Sequence, residues 1–442
     1  MSSSKHLPTL AGRLKSRIRR IVTSGSLHEG GRAPTALPAS RRKPGKEPQY
    51  KRFLTDNPVA YRAAIEAAET YASKLVDGEH AWLFAKPYDD TPGNPQYFRL
   101  MYDVLNILQA MRLPANARIL EVGSGPGWVT EILLMMGFSV DALEPSSDLI
   151  DIARHRCTAL KHHYHLRGEP KVRFHQDTLE TIDFPEQGFD AILYFDVLHH
   201  VVDERVCIEK SFRFLKTGGC VGIIDPSWHP DFKPLEKHMM EEMAKFGTLE
   251  NPFSTEYIDR LLLDAGFVDI ERYISVNGMF SAGQSMRPLQ EFSDRPMAGS
   301  NNMTARRPHS DGVAWPSCAS PYFTSDARIT LLSGGIDAAR GAATITVKVE
   351  NTGQTLLEND PGNSGHITFA LRRNAPGAPD FIECGGRVAL PRNLTPGQST
   401  EAVVQFTLPE DAGFQGWELD MVAESLFWFS TRGMPGCPVP VR

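Results

Sequence analysis

The sequence predicts an α/β protein in which a doubly wound domain with a mostly parallel sheet is followed by an all-β sandwich domain. Three observations carry this. Strand-like apolar runs alternate with helix-length segments through the middle of the chain, and beyond residue 323 the apolar spacing turns to period two. Between the two patterns lies a polar stretch punctuated by Pro and Gly.

Taken in order, residues 1–48 are rich in Ser, Gly, Pro and Arg. They collect Arg13, Lys15, Arg17, Arg19, Arg20, Arg41, Arg42 and Lys43 with almost no acids. A disordered basic arm is expected there, with one short helix near Leu10 to Val22, suited to an anionic membrane surface or an acidic partner. An Arg-rich, acid-poor start also has the composition of an organellar transit peptide. The α/β domain is expected over 49–285. Helical spacing marks Pro58 to Val76 and Tyr97 to Met111, where Leu100, Val104, Leu105 and Leu108 fall on one stripe. The runs ARILEV, SVDALE, FDAILYF and GGCVGIID then read as strands between helices. After the last of them a long insertion carries Trp228, His229 and Phe232, an expected lid, and Trp82, Phe84 and Tyr88 precede the first strand as a second cover, with ordinary packing the alternative for both sets. A linker is expected at 286–322. Over 323–442, Ile345, Val347 and Val349, then Val404, Phe406 and Leu408, then Trp417, Leu419 and Met421 alternate with other residues between turn signals, which predicts an antiparallel β-sandwich.

Composition narrows the function classes. With 41% hydrophobic and 23% charged residues the chain reads as soluble and globular, and no apolar run approaches the roughly 20 residues that span a bilayer. The formal charge of -6 leaves the part beyond the basic arm acidic, against nucleic-acid binding. Six cysteines without CxxC spacing fit a reduced, cytoplasmic setting, and no group of acids and histidines stands at metal-ligand spacing, so no metal is expected.

The most informative segment is Ile119-Leu120-Glu121-Val122-Gly123-Ser124-Gly125-Pro126-Gly127, an apolar strand entering a glycine-rich turn and then a helix. Such a turn lets a ligand approach the backbone, but dinucleotide folds share it. Glu121 sharpens the reading, since its carboxylate repels a pyrophosphate and attracts an ammonium group. Glu144, with Pro145 behind it, ends the next strand about 20 residues on, placed to accept from both ribose hydroxyls. Asp177 follows the strand-like KVRFHQ, where it can accept from an adenine amine while Thr178 and Leu179 line the ring edge.

Through ILEVGSGPGW, VDALEPSSDLIDIAR, HQDTLETIDFPEQGFDAILYFDVLHHV, FLKTGGCVGIID and LLLDAGF, residues 97–275 resemble the class I S-adenosylmethionine-dependent methyltransferases, whose domain is Rossmann-like. The resemblance implies S-adenosyl-L-methionine as cofactor, held by Glu121, Gly123, Ser124, Gly125, Gly127, Glu144, Pro145, Asp177, Thr178 and Asp196. It also implies that Asp196 to His200 floor the transferred methyl. His199 and His200 are the candidate catalytic residues, His200 favoured, since imidazole can take a hydroxyl proton near neutrality. Trp128 reads as a packing residue. The C-terminal part resembles β-sandwich modules of bacterial surface-polysaccharide enzymes, and Trp428, Phe429 and Trp417 are its candidate sugar-facing aromatics, although Trp417 alternates with Leu419 and Met421 and is expected in the core. The expected activity is O-methylation of a saccharide or surface-polysaccharide precursor. The alternatives are a small-molecule or natural-product methyltransferase and a non-catalytic glycan-binding scaffold. A homo-oligomer fits any of these.

Overall fold

Two helices lead into the larger sheet. Asn57 starts α1 (Pro58–Glu69) by accepting the backbone N–H groups of Val59 and Ala60 at 3.1 and 3.2 Å. In α2 (Pro95–Met111) the stripe Leu100, Val104, Ile107, Leu108 and Met111 is buried. Leu105, expected on that stripe, is instead 46% exposed, because it stands about 100° around the helix from Val104. The computed structural model describes residues 57–69, 83, 85–88, 95–164, 171–227, 248–273, 300–374, 381–408 and 416–442, with isolated positions between 237 and 243. The basic arm with its expected helix, Trp82, Phe84 and the lid residues Trp228, His229 and Phe232 lie outside the described residues.

Seven strands form the sheet: β1 (Arg118–Val122), β2 (Ser139–Leu143), β3 (Val172–His175), β4 (Phe189–Phe195), β5 (Leu215–Pro226), β6 (Val268–Tyr273) and β7 (Ser300–Arg306). Their order is β3-β2-β1-β4-β5-β7-β6, and β1 to β5 pair in parallel. Strand residues alternate between two apolar layers, one on each face. Ile119, Val140, Ala191 and Leu193 pack with α2, α3 (Trp128–Met135) and α4 (Ser147–Tyr164). Leu120, Ile192, Tyr194 and Ile223 pack with α5 (Glu204–Phe214) and α6 (Thr255–Ala265). Burial on both faces explains the near-continuous apolar strands. From β1 the chain steps outward through β2 and β3, then crosses to β4 on the other side, so a crevice opens beyond the carboxyl ends of β1 and β4.

The expected linker at 286–322 is corrected in part, because β7 lies inside it. Residues 300–306 pair antiparallel with β5, from Pro226↔Ser300 to Cys220↔Arg306, and with β6 on their other side. Asn301 is fully buried and ties three elements together. It donates to the Phe253 carbonyl at 3.0 Å and accepts from the Thr255 hydroxyl at 2.7 Å.

Two further antiparallel sheets follow. One orders β12 (Ser399–Thr407), β9 (Ala342–Asn351) and β8 (Ala327–Asp337). The other orders β11 (Phe381–Ala389), β10 (Ile367–Asn374), β13 (Trp417–Ala423) and β14 (Phe427–Trp428), with β15 (Cys437–Pro438) on β13. They share one apolar core, to which Ile345, Val347, Val404 and Phe406 contribute from the first sheet and Phe369, Leu371, Trp417 and Leu419 from the second. Among the described residues no helix is long and apolar enough to cross a membrane.

Candidate active site

The turn between β1 and α3 is built from three glycines with positive φ: Gly123 at 65°, Gly125 at 54° and Gly127 at 80°. Two of them make room for the protein itself. A Cβ on Gly123 would come within 2.1 Å of Val197 Cγ2, and one on Gly127 within 2.6 Å of Ala153 Cβ. Gly125 differs, since a Cβ there meets nothing within 4 Å, so this glycine faces open space beside the turn. Next to it Ser124 is buried and its hydroxyl has no hydrogen-bond partner. An open cradle with an orphaned hydroxyl suits a polar ligand, and the expected cofactor fits it.

Two buried carboxyls flank that space. Glu121 accepts from the Thr130 hydroxyl at 2.6 Å. Burial pushes its carboxyl up to about 8, against the opposing bond from Thr130, with the charge of Glu144 adding to the rise. Glu144 accepts the backbone N–H of Gly125 on one oxygen and that of Ser146 on the other, both at 3.0 Å, which leaves lone pairs on each for ribose hydroxyls. Burial raises it to about 7 despite these two bonds. Pro145 lies between Glu144 and the N-terminal turn of α4.

Asp177, at the end of β3, is half-buried and holds its own turn, accepting from the backbone N–H of Thr178 and from the Thr181 hydroxyl. Leu179 is buried beside it. Asp196 opens the loop after β4 with φ 58°, a conformation that few residues other than glycine adopt, and its N–H donates to the Ile224 carbonyl at 2.7 Å. Asp196 is exposed, and the local loss of water that would raise its carboxyl is outweighed by the charges of His199 and Lys86, which hold the group below the usual carboxylate range. Lys86 is itself pushed down by burial, and its ammonium stands 5.8 Å from the Trp128 ring. Trp128 is buried edge-on against Phe195 at 5.2 Å, as a packing residue should be.

The two histidines sit on a single 3-10 turn, Leu198–His200, with ring centroids 3.9 Å apart. His199 is buried, and its Nδ1 lies 3.0 Å from Asp225, whose same oxygen accepts the backbone N–H groups of Val197 and Leu198. Its Nε2 lies 3.3 Å from Glu250. Burial lowers the proton affinity of this ring, but the charge and hydrogen bond of Asp225 overcome it and push His199 up to about 10. His200 is more open, and its Nδ1 lies 2.8 Å from the Leu249 carbonyl. A carbonyl only accepts, so Nδ1 carries the proton and Nε2 is left as the ring's acceptor. Burial and the neighbouring His199 charge hold His200 below its ordinary value, as a neutral ring.

The crevice therefore gathers the loops that bear Gly123–Gly127, Glu144, Asp196 and His199, which the sequence spreads over some 80 positions. Glu250 was missed. It touches both histidines from a loop 50 residues later, and no spacing signal links it to them. With it, His199 and His200 place donor atoms within 4.8 Å of one another, a group at metal-ligand spacing that the sequence reading did not expect. Among the sugar-facing aromatics Phe429 needs correction, whereas the burial expected of Trp417 is observed. Trp417 and Phe429 are each 2% exposed inside the C-terminal core, and Trp428 is half-buried with the Arg387 guanidinium 4.4 Å from its ring.

Residues 96–272 match the family model described as a methyltransferase domain. A ubiquinone biosynthesis O-methyltransferase of Xanthomonas axonopodis pv. citri is 29% identical over 116 residues, 26% of this chain and 45% of that protein. A demethylmenaquinone methyltransferase of Clavibacter sepedonicus is 28% identical over 138 residues, 31% of this chain and 51% of that one. The chain thus spans about half the length of the curated relatives it matches. Among solved structures, a 1,6-didemethyltoxoflavin-N1-methyltransferase of Burkholderia thailandensis with bound 1,6-didemethyltoxoflavin and S-adenosylhomocysteine is 18% identical. The match covers 57% of this chain and 91% of that one, with a TM-score of 0.36.

Proposed function

We propose that the chain is an S-adenosyl-L-methionine-dependent methyltransferase that places a methyl group on an oxygen of a small hydroxyl-bearing acceptor. The carrying observation is the cofactor cradle: Gly125 faces open space between Glu121 and Glu144, with the Ser124 hydroxyl unpartnered beside it. Glu121 takes the methionine ammonium, Glu144 the ribose hydroxyls, and Asp177 with Thr178 the adenine edge. The sulfonium is already activated, so the protein's main task is to hold the acceptor in line with the methyl, which can account for several kcal/mol of the barrier. His200, neutral and with Nε2 as acceptor, receives the hydroxyl proton. His199, held charged between Asp225 and Glu250, fixes the turn and offsets negative charge nearby.

The match over 96–272 supports the transferase reading, and the name of the ubiquinone biosynthesis O-methyltransferase favours oxygen as the acceptor atom. A saccharide acceptor is the narrower proposal. Its support has thinned, because two of the three aromatics it relied on are core residues. A silent scaffold fits poorly with an intact set of Glu121, Glu144 and Asp177.

The test is release of S-adenosylhomocysteine when S-adenosylmethionine is offered with panels of phenols and of saccharides. Acceptor-dependent release that drops about 100-fold in His200→Ala at unchanged cofactor affinity is expected, on the scale usual for a lost general base. Transfer to nitrogen in place of oxygen, or full activity in His200→Ala, contradicts it.

A further inference from the structure

We propose that His199, His200 and Glu250 form a binding site for a first-row divalent cation such as Zn²⁺ or Co²⁺. Neither sequence spacing nor the cofactor reading assigns such a site. Each of the three side chains offers one donor atom, and these atoms lie within 4.8 Å of one another. The two imidazoles meet opposite oxygens of one carboxylate: His199 Nε2 lies 3.3 Å from one oxygen of Glu250 and His200 Nδ1 3.4 Å from the other. An ion bonded to nitrogen and oxygen at about 2.0 to 2.2 Å in tetrahedral array sets neighbouring donors roughly 3.3 to 3.5 Å apart, so small side-chain shifts bring the two imidazoles and one Glu250 oxygen to coordination spacing.

The surroundings point the same way. Asp225 holds Nδ1 of His199, and two backbone N–H groups hold the same carboxylate oxygen, so the ring is fixed with Nε2 turned toward Glu250. Such carboxylate–imidazole pairs orient and strengthen imidazole ligands. If Nδ1 gives its hydrogen to Asp225, a neutral ring presents the Nε2 lone pair to the carboxylate of Glu250, and two acceptors face each other across 3.3 Å. Something positive must stand between them. A proton does so in the cation-free protein, and a cation would displace it to solvent. The other oxygen of Asp225 is buried without a hydrogen-bond partner, so the site holds more negative charge than its neighbours satisfy. Two imidazoles and one carboxylate favour borderline ions over Mg²⁺ and Ca²⁺.

The role of the ion rests on the proposed function, although its binding does not. An ion there would stand on the floor of the crevice and lower the pKa of a hydroxyl bound to it. An ion on Nδ1 of His200 displaces the proton that otherwise goes to the Leu249 carbonyl and leaves the ring's proton on Nε2, so in the loaded protein the acidity of the hydroxyl replaces that ring as the means of removing the proton.

The test uses the full chain, stripped with chelator and then equilibrated with Zn²⁺, Mn²⁺ or Co²⁺ in separate dialyses. Bound metal is counted by mass spectrometry, and S-adenosylmethionine binding is titrated in the same preparations. One ion per chain at micromolar concentration is expected, with the visible bands of Co²⁺ bonded to nitrogen. Glu250→Gln should bind the ion at least tenfold more weakly at unchanged cofactor affinity, which also shows that the variant is folded. A folded chain that binds the cofactor but takes up no stoichiometric ion overturns the site. So does a Glu250→Gln variant that binds the ion as well as the parent. An ion bound without any cofactor affinity would instead leave the site standing and remove the methyltransferase reading.

Discussion

Glu121 and Glu144 stand beside one glycine turn, and burial raises both, to about 8 and about 7. For each, the folded protein keeps a proton that the unfolded chain releases nearer 4.5, so the ligand-free fold loses stability as pH climbs from that value through the folded one. A ligand ammonium favours the ionised form of Glu121 and reverses that trend. Cofactor affinity should therefore rise from pH 6 toward pH 8, by up to about tenfold per pH unit where one proton is released, and flatten as the ligand ammonium titrates near about 7.7 to 8.0. The ligand-induced rise in Tm should grow in parallel. Calorimetry across that range checks the affinity, and a flat profile would show that Glu121 does not meet the ammonium. Gly125→Ala is the matching steric test. The protein leaves room for the methyl and only the positive φ of 54° opposes it, so the variant should lose about 1 to 2 kcal/mol, a few degrees in Tm, while cofactor affinity falls at least tenfold. At this scale the candidate cofactor residues could be singled out because they follow strand ends in chain order, whereas Glu250 could not. Its partners lie 50 residues away, and only the folded loops bring the charges together.

Among the elements, the strands of the parallel sheet announced themselves as apolar runs, since both their faces are covered. Strand β7 did not. Its sequence SNNMTAR holds only Met303 and Ala305 as apolar residues and follows a Pro-rich stretch, so it reads as linker until β5 and β6 are seen to pair with both its edges. Its polar residues are themselves structural. Asn301 bonds the loop before α6 and the first residue of that helix, and Asn301→Ala strands a buried carbonyl and a hydroxyl. A loss of about 2 kcal/mol is expected, read as a lower urea midpoint. An unchanged midpoint would mean that water takes over both bonds.

For the whole molecule, period-two spacing beyond residue 323 foretold antiparallel strands, but it could not say which face of each strand meets the other sheet. Trp417 sits in the phase of Leu419 and Met421, so its burial was readable. Phe429 lies in a 3-10 turn after β14, where alternation gives no guide, and it too belongs to the core. Phe429→Ala should accordingly cost about 3 to 5 kcal/mol of stability, the range for truncating a buried aromatic, with cofactor affinity at low temperature unchanged. Loss of glycan binding with full stability would contradict that placement. Above this sits the claim that the crevice at the ends of β1 and β4 binds the adenosyl cofactor. Its most direct test is isothermal calorimetry of S-adenosylmethionine and S-adenosylhomocysteine against the full chain and Glu144→Ala, with NAD as control. Micromolar binding of both adenosyl ligands, weakened at least tenfold in the variant and absent for NAD, is expected. Folded protein that binds neither ligand, or binds them equally well without Glu144, would contradict it.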